Sequence, residues 1–236
     1  MSLSVFLALM TAQAGPVVTI TDGNAKAEIH QDADPLSAKI DEAFAFIREG
    51  KPAEALPILD SVIAAEEGLH RNEKRVIYSA RTLTEAMVYA ALAATQKKSA
   101  VVLDDTYAMG YFIKGFALID LNRSNEAKPL FDRALALAPM NSQFLAERGE
   151  WFKTRKDWAS AYADFDSASS AAEFAPADSK SNYQRRAWRG MAFARIEQGQ
   201  ADEARELLQK CLTLEPSDEK CKHELDYIES LKKPVS

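Results

Sequence analysis

Apolar residues recur every three to four positions over most of this chain, with small residues at regular places among them. Between Asn125 and Ala138, the residues Ala127, Leu130, Phe131, Ala134, Leu135 and Ala138 follow the spacing of one helix face, and Pro139 stops the pattern. The stretch before it, Tyr107 to Leu121, predicts a second helix. Asn122-Arg123-Ser124-Asn125 reads as a turn of helix-stopping and N-capping residues between the two. Gly115 on the first helix and Ala127 on the second lie twelve positions apart. Residues that small let antiparallel helices approach closely, and Phe131 fills the space beside them.

The same small pair returns at Ala43/Ala55, Gly149/Ala161 and Ala192/Ala204. Each second member opens an apolar face: Ala55, Ile58, Leu59, Val62 and Ile63; Ala161, Phe165 and Ala168; Ala204, Leu207, Leu208, Cys211 and Leu212. A two-helix hairpin cannot bury such a face alone, so hairpins of one kind are expected to stack on one another. The pattern resembles the tetratricopeptide repeat (TPR), a helix-turn-helix unit of about 34 residues. Tyr111, Gly115, Leu118, Ala127, Phe131, Ala134 and Pro139 match that family in one repeat, and Trp188, Ala192, Ala204, Leu208, Cys211 and Pro216 in another. Leu145, Gly149, Phe152, Ala161, Phe165 and Ala168 match in a third, and Ile40, Ala43, Phe46, Gly50, Ala55, Leu59 and Val62 in a fourth. The resemblance implies an all-α fold, a right-handed superhelical solenoid of about five repeats. These run over about 36–67, 68–104, 108–141, 142–177 and 183–216, within a repeat domain of 36–232.

Three stretches depart from the period. In 68–104 the face Ala86, Tyr89, Ala90, Ala93 and Ala94 predicts the second helix of a degenerate repeat, while Leu69 to Ala80 carries Lys74 where a small residue belongs. Lys97 to Asp104 reads as a connector holding Ala100-Val101-Val102-Leu103, with Asp104 or Asp105 capping the next helix. Glu173 to Asn182 interrupts the period, and 217–232 predicts a cap helix with Leu225, Ile228 and Leu231 on one face. Gly15 to Pro35 has no helical period. It reads as an extended or disordered linker in which Val17-Val18-Thr19-Ile20 forms an extended edge segment between turns.

Residues 1–14 differ in character. Leu3 to Met10 is an apolar run too short to span a bilayer, followed by Ala12-Gln13-Ala14, small-x-small before a cleavage point. A signal peptide is the expectation, with the mature chain starting at Gly15, although no Lys or Arg precedes Lys26; the alternative is an apolar helix packed on the repeats. Together with the repeats, this segment resembles small exported TPR proteins of Gram-negative bacteria, which implies a periplasmic location. The net charge of −6 and pI near 5.3 argue against nucleic acid or an anionic membrane as the main partner.

Candidate chemistry adds little. His30, His70 and His223 are far apart and none has a metal-ligand partner at helical spacing; no nucleophile elbow, phosphate-binding Gly loop or paired Cys ligands occur. No cofactor, no metal and no catalysis are expected. Cys211 and Cys221 flank Pro216, and either a disulfide pins the cap helix or both are small buried residues. A TPR stack implies a groove lined by the first helix of each repeat. Helical phase then assigns to it Phe112, Phe116 and Asp120; Gln143, Glu150 and Lys153; and Arg186, Arg189 and Phe193. In the other reading, the preceding repeat covers Phe112 and Phe116, and the arginines form a solvated face. The Lys, Asn and Arg set with which some TPR proteins hold chaperone C-termini is replaced here by Phe112, Phe116 and Glu147, so that function is not implied. The chain reads as a non-catalytic scaffold of the cell envelope for a protein or peptide partner. The alternative is a self-associating assembly factor with Phe112 and Phe116 between subunits, a homo-oligomer.

Overall fold

A computed structural model describes residues 16–21, 24–29 and 35–231. The segment expected to be a signal peptide lies outside these residues, as does the turn at Asp22-Gly23. The chain divides into two compact units, one ending at Pro139 and the other beginning at Met140.

In the first unit the chain forms strands β1 (Pro16–Thr21) and β2 (Asn24–Ile29), then helices α1 (Pro35–Arg48) and α2 (Pro52–Leu69). Next come β3 (Val76–Ser79), α3 (Leu83–Thr95) and β4 (Ala100–Leu103). Helices α4 (Thr106–Asp120) and α5 (Ser124–Leu137) complete the unit. The pairs α1/α2 and α4/α5 are helical hairpins, and α4 packs directly on α2 and α1. A Cβ added to Gly110 of α4 would lie 3.3 Å from Ile63 and 3.5 Å from Val62, so a bare backbone sets this approach.

Residues 68–104 are therefore not a degenerate repeat. They are a strand–helix–strand excursion between two hairpins that stack on each other without it. The predicted helix over Leu69 to Ala80 is replaced because Val76-Ile77-Tyr78 is β-branched and aromatic, and the Ala100-Val101-Val102-Leu103 connector is likewise a strand. β3 and β4 pair in parallel, with Tyr78 opposite Val102, and α3 is their crossover. Of the predicted face, Ala86, Tyr89, Ala90 and Ala93 are buried and Ala94 is exposed, and the face packs on a sheet; Tyr89 stacks on Tyr78 at 5.3 Å. The 15–35 linker also has structure. β1 and β2 form an antiparallel hairpin, and β1 pairs antiparallel with β4, giving the order β2-β1-β4-β3. β1 is thus an inner strand, not an edge.

The second unit contains α6 (Ser142–Thr154), α7 (Trp158–Ala171), a 3-10 turn (Ala172–Phe174), α8 (Ala177–Glu197), α9 (Ala201–Leu214) and α10 (Glu219–Leu231). The interruption at Glu173 to Asn182 is absorbed by the 3-10 turn and by lengthening α8 to 21 residues. Phe165 of α7 is fully buried between two glycines: a Cβ on Gly149 would come 3.0 Å from its ring, and one on Gly190 of α8 only 2.4 Å. The Gly149/Ala161 spacing is thus a space requirement for one aromatic ring. Gly115 does the same for Phe131, whose ring would lie 2.8 Å from an added Cβ.

One turn joins every hairpin. Gly50, Asn122, Lys156 and Gly199 have left-handed φ of 72°, 59°, 58° and 76°. Each donates its N–H three residues back, and the following N–H reaches back five, as in Gly50 to Ile47 with Lys51 to Phe46 and Lys156 to Lys153 with Asp157 to Phe152. This is the Schellman arrangement, which satisfies the last carbonyls of the first helix and reverses the chain in one residue. It falls seven residues after the first small residue and five before the second in all four hairpins. Among the described residues, no helix is long and apolar enough to cross a membrane.

Candidate functional site

The first helices of the second unit, α6 and α8, carry six of the nine residues assigned to a binding face, and the structure pairs most of them. Tyr183 donates its hydroxyl to Oε1 of buried Gln143 at 3.2 Å. One turn further along α6, Glu147 accepts from Nη2 of Arg186 at 2.8 Å, both side chains largely buried. Beyond that, Lys153 sits 3.0 Å from Glu150 and 4.2 Å above the Phe193 ring, whose other neighbour is Trp158 at 5.9 Å. Positions 143, 147 and 153 of α6 thus meet 183, 186 and 193 of α8, a polar ladder with an aromatic end.

Arg189 belongs elsewhere. It and Arg185 both donate to Oδ2 of Asp218, Arg189 at 3.0 Å, while Oδ1 of Asp218 accepts the backbone N–H groups of Lys220 and Cys221 at 3.0 and 3.1 Å. Asp218 is therefore both the cap of α10 and the counter-ion of α8. Burial works to raise its pKa but is outweighed by the Cys221 N–H and the two guanidiniums, which hold it below the ordinary carboxylate value. A disulfide joins Cys211 on α9 to Cys221 on α10. Cys211, Asp218 and Cys221 are close enough together to hold a metal ion. The sulfurs, however, are spent on each other and the carboxylate on two arginines, so the donor set does not fit a cation.

Glu224 of α10 faces this charged row, and its position was not evident in the sequence because its neighbours come from two other helices, α6 and α8. Burial raises its pKa, opposed by Lys153 and Arg189 and supported by Glu150, and its Oε2 is buried with no hydrogen bond. Tyr183 was also missed, and Glu147 was named only as a residue that replaces the chaperone-holding set; the signal available was their helical spacing to Arg186 and Glu150.

In the first unit the expectation for Phe112 is corrected. It is 2% exposed and packs on Phe131 of its own hairpin at 5.9 Å. The cause is stacking on the preceding hairpin: α4 is covered by α1 and α2 on one side and by α5 on the other, with β3 a minor neighbour, so nearly every position from Thr106 to Leu118 is buried. Phe112 cannot anchor a partner or lie between subunits. Phe116 is half-buried and Asp120 exposed. Near the start of α4, Tyr107 lies between His70 and Tyr111 at ring distances of 6.1 and 5.6 Å, and the Tyr111 hydroxyl donates to Glu67 at 2.5 Å. Burial first, then the Glu67 bond, raises the Tyr111 pKa, so this phenol stays protonated.

Two stretches match the tetratricopeptide repeat family, residues 110–141 and 185–225. Those two stretches are tetratricopeptide repeats. No match is found among curated protein sequences. Solved structures of similar fold include PilF of Pseudomonas aeruginosa, 15% identical, with a TM-score of 0.57 over 83% of this chain and 68% of that one. MamA from Desulfovibrio magneticus RS-1 is 19% identical, with a TM-score of 0.54 over 84% and 86%. Identities this low speak to the fold alone. A TPR fold is a protein-interaction scaffold, and in this TPR chain the surface on α6, α8 and α10 is of mixed charge.

Proposed function

We propose that this TPR protein is a non-catalytic adaptor of the cell envelope, and that a segment of a protein partner lies along α6, α8 and α10 of the second unit. The observation that carries the reading is the half-buried row of Glu150, Lys153, Arg186 and Glu224. These charges stand on α6, α8 and α10, beside an aromatic ring, with one carboxylate oxygen of Glu224 left without a hydrogen bond. The exposed part of the Glu150 carboxylate can accept from a donor, and a peptide supplies backbone N–H groups, lysine or arginine. Rigid neighbours keep the row in place at no cost in ordering on binding. The Cys211–Cys221 bond supports an oxidising compartment, and the apolar run before Ala14 supports export.

Capture from the envelope fraction tests the reading, comparing the native chain with Glu150→Lys/Lys153→Glu, which keeps the net charge. The variant is expected to keep its circular dichroism and lose at least about tenfold in partner recovery. Unchanged recovery would refute the assignment. N-terminal sequencing of the envelope protein should begin at Gly15, and a chain retaining Met1 there would refute processing.

A further inference from the structure

Of the ten α-helices among the described residues, α3 alone shows solvent no charged side chain. Its only charged residue, Glu85, is 1% exposed and turned inward, accepting from the backbone N and the guanidinium of Arg81. What α3 presents outward is Leu83 and Met87, 50% and 52% exposed, with Val88, Ala91, Leu92 and Thr95 beyond them. Leu83, Met87 and Ala91 are successive i, i+4 positions, so the apolar stripe runs along the helix, and it narrows to small residues that admit another helix at close range. An uncharged exposed helix on a chain with 27% charged residues is a liability unless something covers it.

The ends of α3 indicate what covers it. At its C-terminal end, Lys97 and Lys98 are exposed, and continuing the parallel register of β3 and β4 places exposed Lys74 beside Lys98, with Arg71 just before. These four cations make no ion pair within the described residues. At the N-terminal end, β4 delivers Asp104 and Asp105 beside Arg81, immediately before the Thr82 cap. The stripe is thus basic at one end and acidic at the other.

We propose that α3 docks against α3 of a second copy of this chain, antiparallel, about a two-fold axis. That arrangement turns one patch into its own complement: uncharged stripe on uncharged stripe, with Lys97, Lys98 and Lys74 of each copy facing Asp104 of the other. It also opposes the two helix dipoles favourably. A bilayer fits less well, because the cations flank one end of a helix about 20 Å long and do not border the stripe. The docking surface lies in the first unit and does not depend on the partner site of the second.

Sedimentation equilibrium of the full chain, of 26.1 kDa, tests this. The native protein is expected to dimerise, and Leu83→Asp/Met87→Asp to weaken the dimer at least about thirtyfold with unchanged circular dichroism. Should that variant misfold, the charge arm decides alone: Lys97→Glu/Lys98→Glu and Asp104→Lys are each expected to weaken self-association and to recover it when mixed. An Ala91→Cys chain, its native disulfide intact, should cross-link to itself. A native monomer at every concentration, a dimer unaffected by the charge substitutions, or a stripe occupied only by a different protein or by vesicles would overturn the proposal.

Discussion

Glycine and phenylalanine set the spacing of the second unit at the residue scale. Phe165 occupies the gap left by Gly149 and Gly190, and a methyl at Gly190 would lie 2.4 Å from its ring, well inside contact distance. Gly190→Ala is therefore expected to destabilise by about 1–3 kcal/mol in urea denaturation. Gly110→Ala, whose nearest neighbour would be the Ile63 side chain at 3.3 Å, should be within about 1 kcal/mol of native and gain from helix propensity. Equal effects of the two would mean that ring packing does not set the hairpin spacing. Asp105 carries a different signal. Burial lifts its carboxyl to about 7, with Arg81 opposing and Asp104 and Glu85 adding. Between 3.8 and about 7 the folded chain holds a proton there that the unfolded chain has lost. The stability contributed by this residue thus falls as pH rises through that window and is lowest above it. Asp105→Asn, which cannot ionise, should gain stability relative to native as pH is raised from about 5 to about 8. A pH-independent difference between the two melting curves would contradict this.

Elements divide into those that local pattern dictates and those that distant pairing makes. The hairpins belong to the first kind. Small-residue pairs twelve apart, and the face that follows each, are set within about 34 residues, so they are legible in the chain. The left-handed turn was half legible: Gly50 and Gly199 announce it, whereas Lys156 adopts it with no sequence signature. The sheet belongs to the second kind. β1 and β4 are about 80 residues apart, and two four-residue strands carry too little periodicity to outweigh a repeat expectation. Phe112 was assigned to a binding face because the hairpin that covers α4, α1 with α2, lies beyond the excursion in the chain and its direct stacking on α4 was not legible. On the site face, the phase of α6 was readable, but the partners of each charge were not, because Arg189 answers to Asp218 across 29 residues. The cap helix depends on that carboxylate and on the disulfide. Cys211→Ser/Cys221→Ser should lose about 2–3 kcal/mol, the loop-closure term for so short a bridge, and Asp218→Ala about 3–5 kcal/mol, because it strands two guanidiniums and the start of α10. A loss confined to hydrogen-exchange protection of α10, with no global change, would show that the cap frays independently of the repeats.

At the scale of the whole molecule, a TPR scaffold carries two separate proposed surfaces: a mixed-charge row on α6, α8 and α10 for a partner, and an uncharged α3 for a second copy. Neither requires the chain to catalyse anything, and each has variants that leave the other surface untouched. The most direct test of the scaffold reading is site-specific photo-cross-linking in the envelope. The cross-linker is placed at Lys153 on α6 in one chain and at exposed Asp166 on α7 in another. The account predicts a discrete cross-linked partner from position 153 and none from 166; a partner captured from 166 and not from 153 would contradict it.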